Sequence, residues 1–156
     1  MATNWQELAN TSHYQTALAV KDKLANEEIT EASAGLEELI EALSRSDQRA
    51  LRSQLLRLMT HIIKWKTQTD RRSKGWAVSI ESARIEIEDV IHLEPSLKPK
   101  VPSLLVELFD KAKRLAEKEM GQKTDLTELT WAEVFDDECE WPPAVQSEEN
   151  GSPSTE

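Results

Sequence analysis

Residues that interrupt helices are scarce in this chain. Its 156 residues include four glycines and six prolines, and the prolines fall between Pro95 and Pro102 or within the last 15 positions. Long stretches are therefore free to form helix, and strand alternation is nowhere convincing. Cysteine is scarcer still. Cys139 stands alone, which excludes an intrachain disulfide and a cysteine-built zinc cage. No apolar run approaches the roughly 20 residues of a membrane span. The opening MATNWQELAN lacks the basic start and apolar stretch of a signal peptide, so a cytoplasmic location is expected. Phosphate-loop, nucleophile-elbow, dinucleotide and kinase signatures are missing as well. His13, His61 and His92 share no metal-ligand spacing, so neither a metal nor a cofactor is expected.

Basic residues are missing from the C-terminal part altogether. From Thr124 to Glu156 there are ten acids and no Lys or Arg, which accounts for the whole net charge of −10. Residues 1–123 balance at 19 bases and 19 acids. Within that neutral body, Arg45 to Lys74 gathers nine bases against Asp47 and Asp70. The charge pattern is thus a basic middle and an acidic end.

What the chain has in quantity is helical periodicity. A first helix is predicted over Trp5–Ala25, with a break near Asn10–Ser12, where short polar side chains compete for backbone hydrogen bonds. Its apolar positions are Leu8, Tyr14, Leu18 and Leu24. A second starts at Thr30 as N-cap and carries Leu36, Leu39, Ile40 and Leu43, with Ser44–Ser46 as an interruption or bend. The third, over Ser46–Thr67, places Leu51, Leu55, Leu58, Ile62 and Trp65 on a stripe widened by Leu56, Met59 and Ile63, which predicts a central helix. A fourth over Gly75–Leu93 aligns Trp76, Ile80, Ala83, Ile87, Val90 and Ile91. A fifth over Pro102–Met120 aligns Leu104, Leu105, Leu108, Ala112, Leu115 and Ala116, with Gly121 as its C-terminal cap. A short helix is predicted over Trp131–Asp136. The fold expected is all-α: one domain, residues 1–141, forming a bundle of about five helices plus the short C-terminal one around one core. Residues 142–156 read as a disordered acidic tail.

The run Leu58, His61, Ile62, Ile63, Lys64, Trp65, Gln68, Arg72, Ser73, Trp76, followed by Ile80, Arg84 and Pro95–Lys98, resembles the bacterial family catalogued as domain of unknown function 29. The resemblance covers about Tyr14 to Pro142. It implies a helical bundle and membership of a set of small, mostly cyanobacterial and proteobacterial proteins, and it implies no activity. Members usually carry paired acids where this chain has Glu38 and Leu39, a glycine where it has Ser44 and a proline where it has Thr69. A chemistry built on an acid dyad is therefore not expected here.

A few side chains could carry chemistry, and each has a plainer reading. His61 lies at the edge of the apolar arc beside Trp65, as a general base or as a ring packed on a tryptophan. Arg84 projects from the apolar face of the fourth helix and requires a partner. Glu38 and Glu41 are the expected carboxylates, either as a structural pair or as part of an anion-binding cluster with His61 and Arg84. Lys64, Lys66, Arg71, Arg72 and Lys74 form a basic patch interleaved with Trp65 and Trp76, which suits nucleic acid. A neutral body with an acidic end disfavours that reading, and both tryptophans lie on apolar stripes. The Asp-Asp-Glu-Cys-Glu setting of Cys139 disfavours a thiolate nucleophile. The acidic end is expected either to latch electrostatically over Lys64–Lys74, strengthened by Trp131, Val134, Phe135 and Trp141, or to have Trp131–Trp141 pack on the bundle for apolar reasons with the residues after Pro143 in solvent.

The leading expectation is a non-enzymatic helical module with a protein partner, a second copy being the simplest. The alternatives are a small-molecule or phosphate-processing site at Glu38, His61 and Arg84, and nucleic-acid binding through Lys64 to Lys74.

Overall fold

In the computed structural model, which describes residues 3–143, three of the helices start at short polar side chains that cap them. Asn4 Oδ1 accepts from Glu7 N–H at the start of α1 (Trp5–Thr11), and Ser12 Oγ accepts from Gln15 N–H at the start of α2 (His13–Ala25). Ser12 also ends α1, its own N–H bonding to the Leu8 carbonyl. The expected break near Asn10–Ser12 is therefore one residue that serves two helices.

At the next corner Glu27 takes a left-handed φ of 60°, and Glu28 N–H reaches back to the Lys23 carbonyl, turning the chain into α3. This helix runs from Ile29 to Thr67, 39 residues, or roughly 58 Å at about 1.5 Å per residue. Two helices with an interruption at Ser44–Ser46 are predicted from sequence, and the correction has a local cause. Serine within a helix loses only tenths of a kcal/mol against better formers, and no Gly or Pro lies between Leu36 and Lys74. A long ion pair from Arg45 to Glu41 and a hydrogen bond from Gln48 to Ser44, each one turn apart, cross the serines. Thr30 is likewise inside the first turn and not its cap.

Ser73 Oγ caps α4 (Lys74–Leu93) by accepting from Trp76 N–H. A prolyl 3-10 turn over Pro95–Lys100 leads into α5 (Val101–Met120), which closes at Gly121 with φ 65°. That left-handed conformation suits glycine. Extended chain from Lys123 then reaches a single π turn, Ala132–Asp136. The fold is an all-α, single-domain bundle of five helices and a short C-terminal helix. The expected disordered tail lies, beyond Pro143, outside the described residues.

Apolar burial divides along α3. Its C-terminal half, Leu51 to Trp65, joins Ile80, Ala83 and Ile87 of α4, Leu97, the α5 residues Leu104, Leu105, Leu108, Phe109, Ala112 and Ala116, and Val134 in the main core. The central position expected for this stretch is correct. Its N-terminal half meets α1 and α2 in a second, small cluster of Trp5, Val20 and Ala32, flanked by Leu8 and Ala19. One core is predicted from the sequence, and two occur, because α1 and α2 pack on a different half of α3 from α4 and α5. Trp5 is accommodated by a glycine. A Cβ on Gly35 would stand 2.7 Å from the indole ring, and the indole N–H donates to Glu31 at 3.1 Å.

Gly35→Ala is therefore expected to destabilise the small core despite alanine's better helix propensity, since overpacking costs about 1–3 kcal/mol against about 1 kcal/mol gained. Amide hydrogen exchange should quicken in α1 and α2 while the main core keeps its protection. Unchanged exchange in α1 would refute the contact.

Candidate functional site

Arg84 is held by a partner that sequence spacing did not name. From its half-buried position on α4, Nε–H donates to the Val134 carbonyl at 2.8 Å and Nη2 to the Glu133 carbonyl at 3.4 Å. The expected pairing with Glu38 or Glu41 does not form, because those acids stand on the half of α3 that α4 does not cover. Glu41 instead lies 3.8 Å from Arg45, both well exposed. Arg84 thus clamps the backbone of the C-terminal segment to the bundle, with Val134 fully buried in the main core beside it. Trp131 and Phe135 stack with centroids 4.5 Å apart. Burial of Val134 and the Arg84 hydrogen bonds together hold this segment. One ion pair, Lys66 with Glu133, joins it to the basic stretch among the described residues.

His61 stays on the other side of this arrangement. Its Nδ1 lies 2.9 Å from the Arg57 carbonyl, so that nitrogen carries the proton and Nε2 is the acceptor. Burial holds the imidazole below the ordinary histidine range; Lys64 and Arg57 act in the same direction, and the Arg57 carbonyl and Glu119 oppose them. Among the described residues, the five main clefts include Arg84 in two and neither His61 nor Glu38 in any. The cluster read from sequence is dispersed over three places. Among the described residues no three His, Cys, Asp or Glu side chains converge as a metal cage would require.

Much of the basic patch is spent on internal contacts. Lys64, expected on an exposed patch, is buried, bonded to Glu119 at 2.8 Å and set 5.1 Å over the Trp76 ring. Arg72 lies 4.6 Å over the Trp65 ring and donates to the Trp65 carbonyl. Lys66 takes Glu133. Arg71 and Lys74 remain exposed. Tryptophans that could have stacked on bases are instead covered by these cations. Burial pushes the Cys139 thiol up, with Arg84 and Arg72 acting against it. The direction matches the sequence reading, but burial and not the neighbouring acids is the leading cause.

Periodicity in the N-terminal half predicts a buried stripe, and here the structure differs most. Tyr14, Leu18 and Leu24 of α2 and Leu36, Ile40 and Leu43 of α3 are exposed, as is Ile29. The residues that do pack are Trp5, Ala9, Thr16, Val20, Ala32 and Leu39. At about 100° per residue, Ile29, Leu36, Ile40 and Leu43 fall within about 60° of one another. Their stripe points about 110° around the helix from Gly35, where α1 sits. Joined by the short corner at Asn26–Glu28, α2 and α3 pack as a hairpin with α1 against both, and the apolar stripe of α3 lies clear of the α1 contact.

Two outcomes follow from the polar residues. Arg84→Met strips the Glu133 and Val134 carbonyls of their donors, at about 1–3 kcal/mol for groups left unsatisfied. Protease cleavage between Trp131 and Cys139 should accelerate, whereas Glu38→Gln should leave it unchanged; equal behaviour of the two would contradict the clamp. For His61, the depressed pKa means that the unfolded chain takes up the proton first as pH falls. Its contribution is therefore present above about pH 6.5 and is lost as pH drops below it. The difference in urea midpoint between about pH 7.5 and about pH 5.5 should shrink in His61→Gln, and an undiminished difference would exclude His61 as a source.

Residues 13–145, from the first turn of α2 to beyond the clamped segment, match the family described as "Domain of unknown function DUF29". Comparison with curated proteins and with solved structures gives no match. The matched span takes in α2 to α5 and the Arg84-held segment with all the residues on which the resemblance rested, and by it the chain belongs to the DUF29 family.

Proposed function

We propose that this chain is a non-enzymatic helical interaction module that joins a second copy of itself through the bare side of the α2–α3 hairpin. The observation that carries the reading is the bare stripe of Ile29, Leu36, Ile40 and Leu43 on α3, each 41–62% exposed, with Tyr14, Leu18 and Leu24 exposed on the neighbouring α2. Burying them is favourable in proportion to area.

Spacing on α3 supports the geometry. Ile29, Ala32, Leu36, Leu39 and Leu43 follow the three-four alternation of a packed helical seam. Ala32 and Leu39 are already buried within the chain, while Ile29, Leu36 and Leu43 are not. The seam is half-filled. Laying two such hairpins face to face completes a four-helix arrangement around a shared apolar layer. Charges at the edges favour one orientation. Lys21 on α2 and Glu37 on α3 are exposed, and neither is in an ion pair among the described residues. Setting α2 of one copy over α3 of the other brings these opposite signs together. A cytoplasmic setting belongs to the same reading, since a lone free cysteine such as Cys139 suits a reducing compartment.

Sedimentation equilibrium of the full chain tests this. A dimer is expected, with Ile40→Glu shifting it to monomer, at least roughly tenfold in Kd, and retaining its helical circular dichroism. Val106→Glu, an exposed apolar position on α5 away from the face, should leave the dimer intact. A wild-type chain that is monomeric at about 100 μM, a concentration at which even a weak dimer with Kd near 1 μM forms, would overturn the proposal.

A further inference from the structure

On the opposite side of α3 from the bare stripe, the helix crosses from the small core to the main one, and there it carries a row of arginines. Arg45, Arg49 and Arg52 lie within about 60° of one another and over about 10 Å of helix. Two adjoining clefts share Arg45 and Arg49. One, of about 630 Å³, is walled by Gln6, Asn10, Thr11, His13 and Ser46 from the α1–α2 corner and α3. The other, of about 500 Å³, continues past Gln48, Arg52 and Ser53 to Lys111 of α5. Three arginines and a lysine thus line two adjoining clefts.

Their charge is only partly neutralised. Arg49 and Lys111 have no hydrogen bond or ion pair among the described residues. Arg45 has an exposed contact of 3.8 Å with Glu41, too long for a good hydrogen bond. Its Nη2 donates to Asn10 Oδ1 at 3.1 Å, which holds the guanidinium at the cleft wall. Arg52 shares Glu107 at 2.9 Å, leaving further donors of its five free. Ser46 lines the first cleft and Ser53 the second, each with a hydroxyl that can act as a neutral donor.

We propose that this cleft binds a small molecule bearing several phosphate groups, with Arg45, Arg49 and Arg52 taking phosphate oxygens and Lys111 supplying further positive charge. Guanidinium groups present paired donors that match phosphate oxygens, and spacing of one helical turn lets successive arginines engage separate groups of one ligand. Concavity and length favour a compact ligand over a nucleic-acid strand. The volumes are those of small-molecule sites, and the positive row is bounded along α3 by Glu37, Glu38 and Glu41 and on α5 by Glu107 and Asp110. A strand running out of the cleft would meet those acids.

Inorganic triphosphate is a direct probe, titrated calorimetrically into the full chain at about 0.15 M salt, where the Debye length is about 8 Å and diffuse attraction is largely screened. Saturable binding is expected, weakened roughly tenfold or more by Arg49→Gln and unchanged by Arg71→Gln, an exposed arginine outside the cleft. Arg49 makes no hydrogen bond or ion pair among the described residues that its replacement would break, and circular dichroism verifies the fold of both variants. Three results would overturn the proposal: no binding to the wild-type chain, equal weakening by both variants, or a single-stranded oligonucleotide binding more tightly than triphosphate. Because these residues face away from Ile40, Ile40→Glu should leave triphosphate binding intact, so this test and that of self-association fail independently.

Discussion

Unbroken backbone hydrogen bonding along α3 is the constraint on which the rest of the molecule depends. Both cores are built on this one helix, and contacts between the two ends of the chain run almost wholly through it. A helix of 39 residues is far beyond the roughly 10–14 usual in globular proteins, and its middle, around Ser44 to Ala50, has little apolar support. Continuity there rests on the helix itself, on the absence of Gly and Pro, and on the one-turn contacts of Arg45 and Gln48. Were the chain to turn at Ser44, the arginine row would lose its alignment and α1 and α2 would pack elsewhere.

Much of this architecture could be read in advance. Helix ends at Ser12, Ser73 and Gly121 follow from residue types whose capping action is local. The main core follows from a wide apolar arc that surrounding helices had to cover. Less legible was the join at Ser44–Ser46, because serine is compatible with a cap, a bend or a helix interior, and the choice was made by side chains one turn away. Periodicity also identifies an apolar stripe without saying what covers it. Tyr14 and Ile40 satisfy the same spacing rule as Leu55 and Ile80, yet only the latter pair is buried.

Polar positions were harder still. That Arg84 needed a partner was evident from its apolar neighbours. That the partner would be two carbonyls some 50 residues away in sequence was not, since every residue carries a carbonyl and no side-chain pattern marks it. The basic stretch misled for a related reason: a count of charges does not separate cations that cover tryptophans, as Lys64 and Arg72 do, from cations that face water. Spacing was the missing signal. Arg45, Arg49 and Arg52 stand at intervals of four and three, which places them on one face, whereas the bases from Lys64 to Lys74 straddle a helix end and scatter.

Two cores of unequal size on one helix also set how the molecule comes apart. The small cluster buries Trp5, Val20 and Ala32, while the main one draws on α3, α4, α5 and the clamped segment. Local openings follow the least supported contacts, so α1, α2 and the first turns of α3 form a separate unfolding unit that can melt while the remainder of α3 stays helical. Unfolding is then expected to depart from all-or-none, with calorimetric and van't Hoff enthalpies that differ. Any molecule that holds the α1–α2 corner against α3 acts on the weaker unit first, and so raises the cooperativity of the whole chain.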